Sequence, residues 1–115
     1  MKNSDLMARI AAGVEIMAVL FNLVLAFIWF ISFVLLLVGI AWGLVALVAL
    51  VEGALALFVV FKGYSPVGIV GPLLGIGVSI CNFNFFGGMI EMVVLMLMIG
   101  ALVVRNNEIA AEEAA

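Results

Sequence analysis

The sequence predicts an all-α integral membrane protein, a four-transmembrane-helix bundle with both termini on the cytoplasmic side. Three observations carry this. Of the 115 residues 70% are hydrophobic, and the mean hydropathy is +1.54, where soluble domains run roughly 45–50% apolar. The apolar residues form four runs parted by short breaks. All four basic residues fall on one side if those runs alternate across a bilayer.

The first nine residues, with Lys2 and Arg9, make a cytoplasmic N-terminal segment. Span one follows, about 10–38. A hydrocarbon core of about 30 Å needs roughly 20 helical residues, so span one has material to spare. The stretch "ISFVLLLVGIA" (31–41) is the surplus, to be absorbed by tilt, by protrusion or by a partner, unless the turn falls within it. "VLA" (24–26) has the form of a signal cleavage site after a basic start. The apolar run is long and contains Glu15, so the segment is expected to be retained.

Span two covers about 40–61 and ends at "KGYSPVG" (62–68), the clearest break in the chain. Span three, about 67–81, is short and closes at "CNFN" (81–84). Span four, about 85–104, stops at "RNNE", and residues 105–115 form an acidic, Ala-rich cytoplasmic tail. Residues 10–104 are thus read as one membrane domain. Lys2, Arg9, Lys62 and Arg105 then share the side that the positive-inside rule makes cytoplasmic. Trp29, Trp42, Phe83, Phe85 and Phe86 fall near the outer interface, Phe61 and Tyr64 near the inner one. A two-helix hairpin would require an apolar helix of about 52 residues, roughly 78 Å long, and would put Lys62 opposite the other basic residues.

Lipid is as apolar as leucine, so small residues and interhelical hydrogen bonds must hold such helices together. Each span carries a stripe of them at three- and four-residue spacing. Span one has Ala8, Ala11, Glu15, Ala18, Asn22 and Ala26. Span two has Gly43, Ala46, Ala49, Gly53 and Ala56, with Glu52 at the border. Span three has Gly68, Gly71, Gly75, Ser79 and Asn82. Span four has Asn84, Gly87 or Gly88, Glu91, Met98 and Ala101.

Glu15, Glu52 and Glu91 lie inside apolar runs that contain no Lys, Arg or His. Burial disfavours the charged form, so the neutral acid is the expected state, and the formal charge of −3 counts carboxyls that carry none. Counting at ~1.5 Å per residue from Arg9, Lys62 and Arg105 sets the three acids roughly 9, 15 and 21 Å deep, a staircase rather than a cluster. An ionised side chain at mid-bilayer costs about 2.5–3.5 kcal/mol on insertion scales, against about 0.6 kcal/mol for an average interhelical hydrogen bond. The three acids, with Asn22, are therefore candidates for binding protons or a cation. Hydrogen-bonding glue is the competing role.

There is no His, Thr or Gln, and Cys81 is the one cysteine. An internal disulfide, and the usual donor sets for zinc, haem and iron–sulfur clusters, are excluded, and no cofactor is implied. Four basic residues against seven acidic ones leave no footprint for nucleic acid. In size, span number and an acid in span one (Glu15), the chain resembles the small multidrug exporters, but Glu52 and Glu91 have no counterpart there. It shares an intramembrane acid with rotary-ring c subunits and a basic loop with conjugative pilins, without the two-helix form of either. The leading expectation is a non-enzymatic bundle that works by assembly in the bilayer, as a homo-oligomer or an accessory subunit. The alternatives are a small proton-coupled transporter or ion pathway, and a hydrophobic filament or envelope subunit.

Overall fold

The structure, a computed structural model, describes residues 2–33 and 39–114. Among them there are only helices and turns. α1 (Asn3–Phe33) and α2 (Gly39–Lys62) are followed by a 3₁₀ turn (Pro66–Ile69) that runs straight into α3 (Val70–Cys81); α4 (Phe85–Ala114) completes the chain. α1, α2 and α4 are long and apolar enough to cross a membrane, and the turn with α3 forms a shorter apolar helix. The result is a helical bundle with three helices fit by length and composition to cross a membrane. The expected turn between the first two spans, and the middle of the surplus 31–41 stretch, lie outside the described residues.

The chain runs up, down, up and down. α1 and α3 each pack along α2 and α4, and the α1–α3 diagonal touches only lightly. α1 and α4, 31 and 30 residues long, extend roughly 45 Å at the helical rise, well past a 30 Å hydrocarbon core. Their outer turns are tied by Lys2 Nζ to Glu112 Oε1 (2.6 Å), by Ser4 Oγ to Glu108, and by Arg105 Nη2 to Asp5 Oδ1 (2.7 Å).

Local chemistry sets the ends. α2 stops at Gly63, whose φ of +89° suits glycine and whose N–H bonds the Val59 carbonyl at 2.8 Å. A Cβ there would come within 2.7 Å of Asp5 Oδ1, the oxygen that also accepts from the Tyr64 N–H at 2.8 Å. Ser65 caps the following turn by accepting from the Val67 N–H, and Pro66 opens it. Pro72 sits in the first turn of α3, where a missing N–H does least harm.

At the far end, Asn84 caps α4 by accepting from the Gly87 N–H at 2.9 Å. Trp29 and Trp42 donate their indole N–H groups to the carbonyls of Asn82 and Cys81, which close α3. Phe33 and Phe83 pack on these indoles, with ring centroids 5.6 to 6.1 Å apart. All four basic residues lie at the opposite end, with the termini: Arg9 donates to the Val60 carbonyl at 2.7 Å, Arg105 stacks 5.0 Å above the Tyr64 ring, and Lys62 ends α2.

The stripes of small and polar residues face inward. Every stripe residue of span one is buried, as are Gly68, Gly71, Gly75, Ser79 and Asn82 of span three, and Asn84, Gly87, Glu91, Met98 and Ala101 of span four. Span two is rotated by about one position from the expected stripe. Its buried line is Ala49, Glu52, Ala56 and Val59, while Gly43, Ala46 and Gly53 are only half-buried, as is Gly88 of span four. Glu52 therefore lies at the centre of the packed face of α2, not at its border.

Candidate proton- or cation-binding site

The interior is divided along the bundle axis. Toward the termini it is filled by Ala8, Ala11, Ala12, Ala56, Val59, Val94, Met98 and Ala101, a dry cluster of small and branched side chains. Next come Glu15, Glu52 and Glu91. Beyond them, two helical turns on along α1 and α4, lie Asn22, Ser79, Asn82 and Asn84.

The acids do not form a staircase. One carboxylate oxygen from each of Glu15, Glu52 and Glu91 lies within 4.8 Å of the other two. Depth counting failed because the basic residues share no common plane. Arg105 pairs with Asp5 although Arg105 is fourteen residues from Glu91 and Asp5 is ten from Glu15. Side chains lean toward the helix N-terminus, so the long Arg105 side chain reaches back along α4 and closes a mismatch of about one turn, roughly 6 Å. Arg9 sits a turn deeper than Asp5 and snorkels to Val60.

The three carboxyls come from three helices, and the fourth supplies the floor. Gly75 faces Glu91 so closely that a Cβ would overlap its carboxyl group, and a Cβ on Gly71 would touch Glu15 Oε1 at 3.7 Å. The GxxxG pair of α3 thus makes room for carboxyl groups as well as for backbone approach. Glu15 is 1% exposed, Glu52 and Glu91 not at all. None of their six oxygens accepts a hydrogen bond from any N–H or O–H among the described residues. Only another carboxyl, a proton or a cation can satisfy them. Two like charges about 5 Å apart repel by about 3 kcal/mol at an effective dielectric of ~20. Full ionisation without a countercharge is therefore excluded, and the cluster must hold protons or a cation.

Asn22, predicted alongside the acids, has different surroundings. Its Nδ2 donates to Ser79 Oγ at 3.0 Å, and its Oδ1 accepts from Asn82 Nδ2 at 3.1 Å and Asn84 Nδ2 at 3.2 Å. Asn82 Nδ2 also donates to the Asn22 backbone carbonyl at 3.0 Å. One α1 side chain thereby locks α3 and α4 together. The sequence reading singled out Asn22 but not Asn82 and Asn84 as its partners; the signal available was Asn84 three residues before Gly87, a helix N-cap spacing. Gly71 and Gly75 were read as packing residues alone, since nothing in their spacing marks a carboxyl above them. No family model matches the chain, and no curated protein or solved structure is found to be similar to it.

Proposed function

We propose that the chain is a small non-enzymatic membrane protein that binds and exchanges protons or a cation at the Glu15–Glu52–Glu91 cluster, with four spans and both termini in the cytoplasm. The observation that carries the reading is the convergence of three buried acids whose six oxygens have no donor within reach outside the cluster itself. Acids serving as interhelical glue bond to carbonyls, amides or hydroxyls on neighbouring helices, whereas these three have only one another's carboxyls within reach. An intramembrane ionisable group facing the bundle interior marks an ion or proton path.

The interior suggests the direction of access. The termini side of the cluster is plugged by apolar side chains, whereas the far side is lined by Asn22, Ser79, Asn82 and Asn84. With the basic residues inside, the polar approach is from the outer face, and passage to the cytoplasm requires the apolar plug to loosen.

The test is flux through reconstituted protein. Liposomes holding a pH-sensitive dye, given an acid pulse, should acidify faster with the protein than without it, and Glu52→Gln should return the rate to that of empty vesicles. Wild-type protein that carries no flux under any imposed gradient would overturn the reading and leave assembly, with copies of itself or with other membrane subunits, as the function to pursue.

A further inference from the structure

Resting on that reading, we propose that the cluster is the site of one hard divalent cation of calcium's size, held by Glu15, Glu52 and Glu91 in exchange for two protons. The geometry points to the size. Three atoms no more than 4.8 Å from one another share a point at most about 2.8 Å from each, which admits the 2.3–2.6 Å of calcium–oxygen bonds without the strict octahedron that magnesium demands. The donor set points to the class. All six available atoms are carboxyl oxygens, the choice of hard cations, and with one acid protonated two bidentate carboxylates and one carbonyl oxygen supply five of the six to eight oxygens that calcium takes, a water taking the next. There is no histidine in the chain, and Cys81 is exposed beside the Asn82 turn rather than at the cluster.

An acidic cluster alone would carry little. Here all three side chains are essentially fully buried and lack donors, with their carboxylate atoms drawn together. The glycine floor adds a second, independent sign. Gly75 leaves free the volume that the Glu91 carboxyl occupies, and any larger residue would push that carboxyl away from the other two. α3 thus contributes a gap where the other three helices contribute an acid.

Charge balance sets the stoichiometry. The fully protonated cluster is neutral. On loading, two O–H bonds break, two protons leave, and the carboxylates take the ion while one acid keeps its proton. The filled site is again neutral, so a dication enters a low-dielectric interior without net charge.

The experiment is calorimetric titration of Ca²⁺ into the full-length protein in detergent, at neutral and at acidic pH. One ion per chain is expected, with affinity falling by up to ~100-fold per pH unit where two protons compete. Glu15→Gln, Glu52→Gln and Glu91→Gln should each weaken binding at least ten-fold. A variant neutralising the tail acids Glu112 and Glu113 should bind as the wild type does. Each Gln keeps the size of the side chain it replaces, and should one variant fail to fold, the other two carry the test. Lack of saturable Ca²⁺ binding, or binding indifferent to all three substitutions, overturns the proposal. Tight Mg²⁺ or Mn²⁺ binding without Ca²⁺ overturns the size assignment. If acid-driven flux still depends on Glu52 in protein that binds no Ca²⁺, the cation assignment alone falls; if that flux is missing as well, the exchange reading falls with it.

Discussion

Two buried polar centres, both inside the apolar bundle, are built in opposite ways. Around Asn22, four hydrogen bonds join three helices, and the amide uses both its nitrogen and its oxygen. Around Glu15, Glu52 and Glu91, no donor from outside the cluster reaches any oxygen among the described residues. Burying a polar group without a partner is costly anywhere and more so in lipid. The Asn centre avoids most of that cost, leaving only the Asn82 Oδ1 without a donor, and acts as a clamp. The Glu centre avoids it only through a proton or a cation, so its contents vary with conditions. One centre ties three helices together, and the other, on the reading proposed above, holds something that can leave.

Substitutions can break this contrast. The largest effect on stability is expected at Asn22. Asn22→Leu strands the amide nitrogen of Asn84 and the hydroxyl of Ser79 and leaves Asn82 Nδ2 only the backbone carbonyl of residue 22, and should destabilise the bundle by about 2–4 kcal/mol in a detergent unfolding titration. A loss below about 1 kcal/mol would show that the clamp does not clamp.

Gly75→Ala comes next. The new methyl must displace the Glu91 carboxyl, and overpacking of this kind costs about 1–3 kcal/mol. It should also reduce flux, because the three acids no longer converge. A variant that loses stability but keeps full flux would separate the floor from the site.

Glu52→Gln sharpens the comparison from the other side. The amide keeps the size of the acid and can still donate to and accept from the two neighbouring carboxyls, so melting should change by about 1 kcal/mol or less, while flux and ion binding are lost. A large drop in stability would turn the Glu centre into a second clamp.

The smallest effects belong to the termini. Asp5→Asn keeps an acceptor for the Tyr64 N–H but loses the ion pair with Arg105, and should cost less than about 1 kcal/mol. The Lys2 ammonium holds the Glu112 carboxyl below its ordinary range. The stabilisation from that pair is complete above the ordinary carboxylate range and fades as pH falls through the lowered value. Lys2→Ala should abolish this acid dependence in helix-end fraying, followed by amide exchange.

Much of the bundle is legible in the sequence because packing in lipid leaves a written trace. Ala8, Ala11, Ala18 and Ala26 in α1, and Gly68, Gly71 and Gly75 in and before α3, recur at helical spacing and all turn inward. The convergence of the acids is not written there. It depends on how far each helix slides along its neighbour, and that offset is fixed by contacts such as Arg105 with Asp5 and Asn22 with Asn82. A residue count from the membrane edge assumes straight helices and level anchors; side chains as long as arginine break the second assumption by a full turn. The Glu52 position failed for a related reason. Span two is so uniformly apolar that its small residues do not mark one face cleanly, and a single step of rotation moves the acid from border to centre.

That the three carboxyls come from three helices has a consequence for biogenesis. The chain is made from its N-terminus, and Glu15 and Glu52 meet as soon as α1 and α2 form a hairpin in the bilayer. Glu91 arrives on the last helix, after the glycine floor it will rest on. Until α4 docks, two of the three acids and the glycine gap are in place, and the site proposed above is unfinished. On the proposed reading, completion of the site would therefore coincide with docking of the last helix, so a chain lacking α4 should bind no ion and carry no flux.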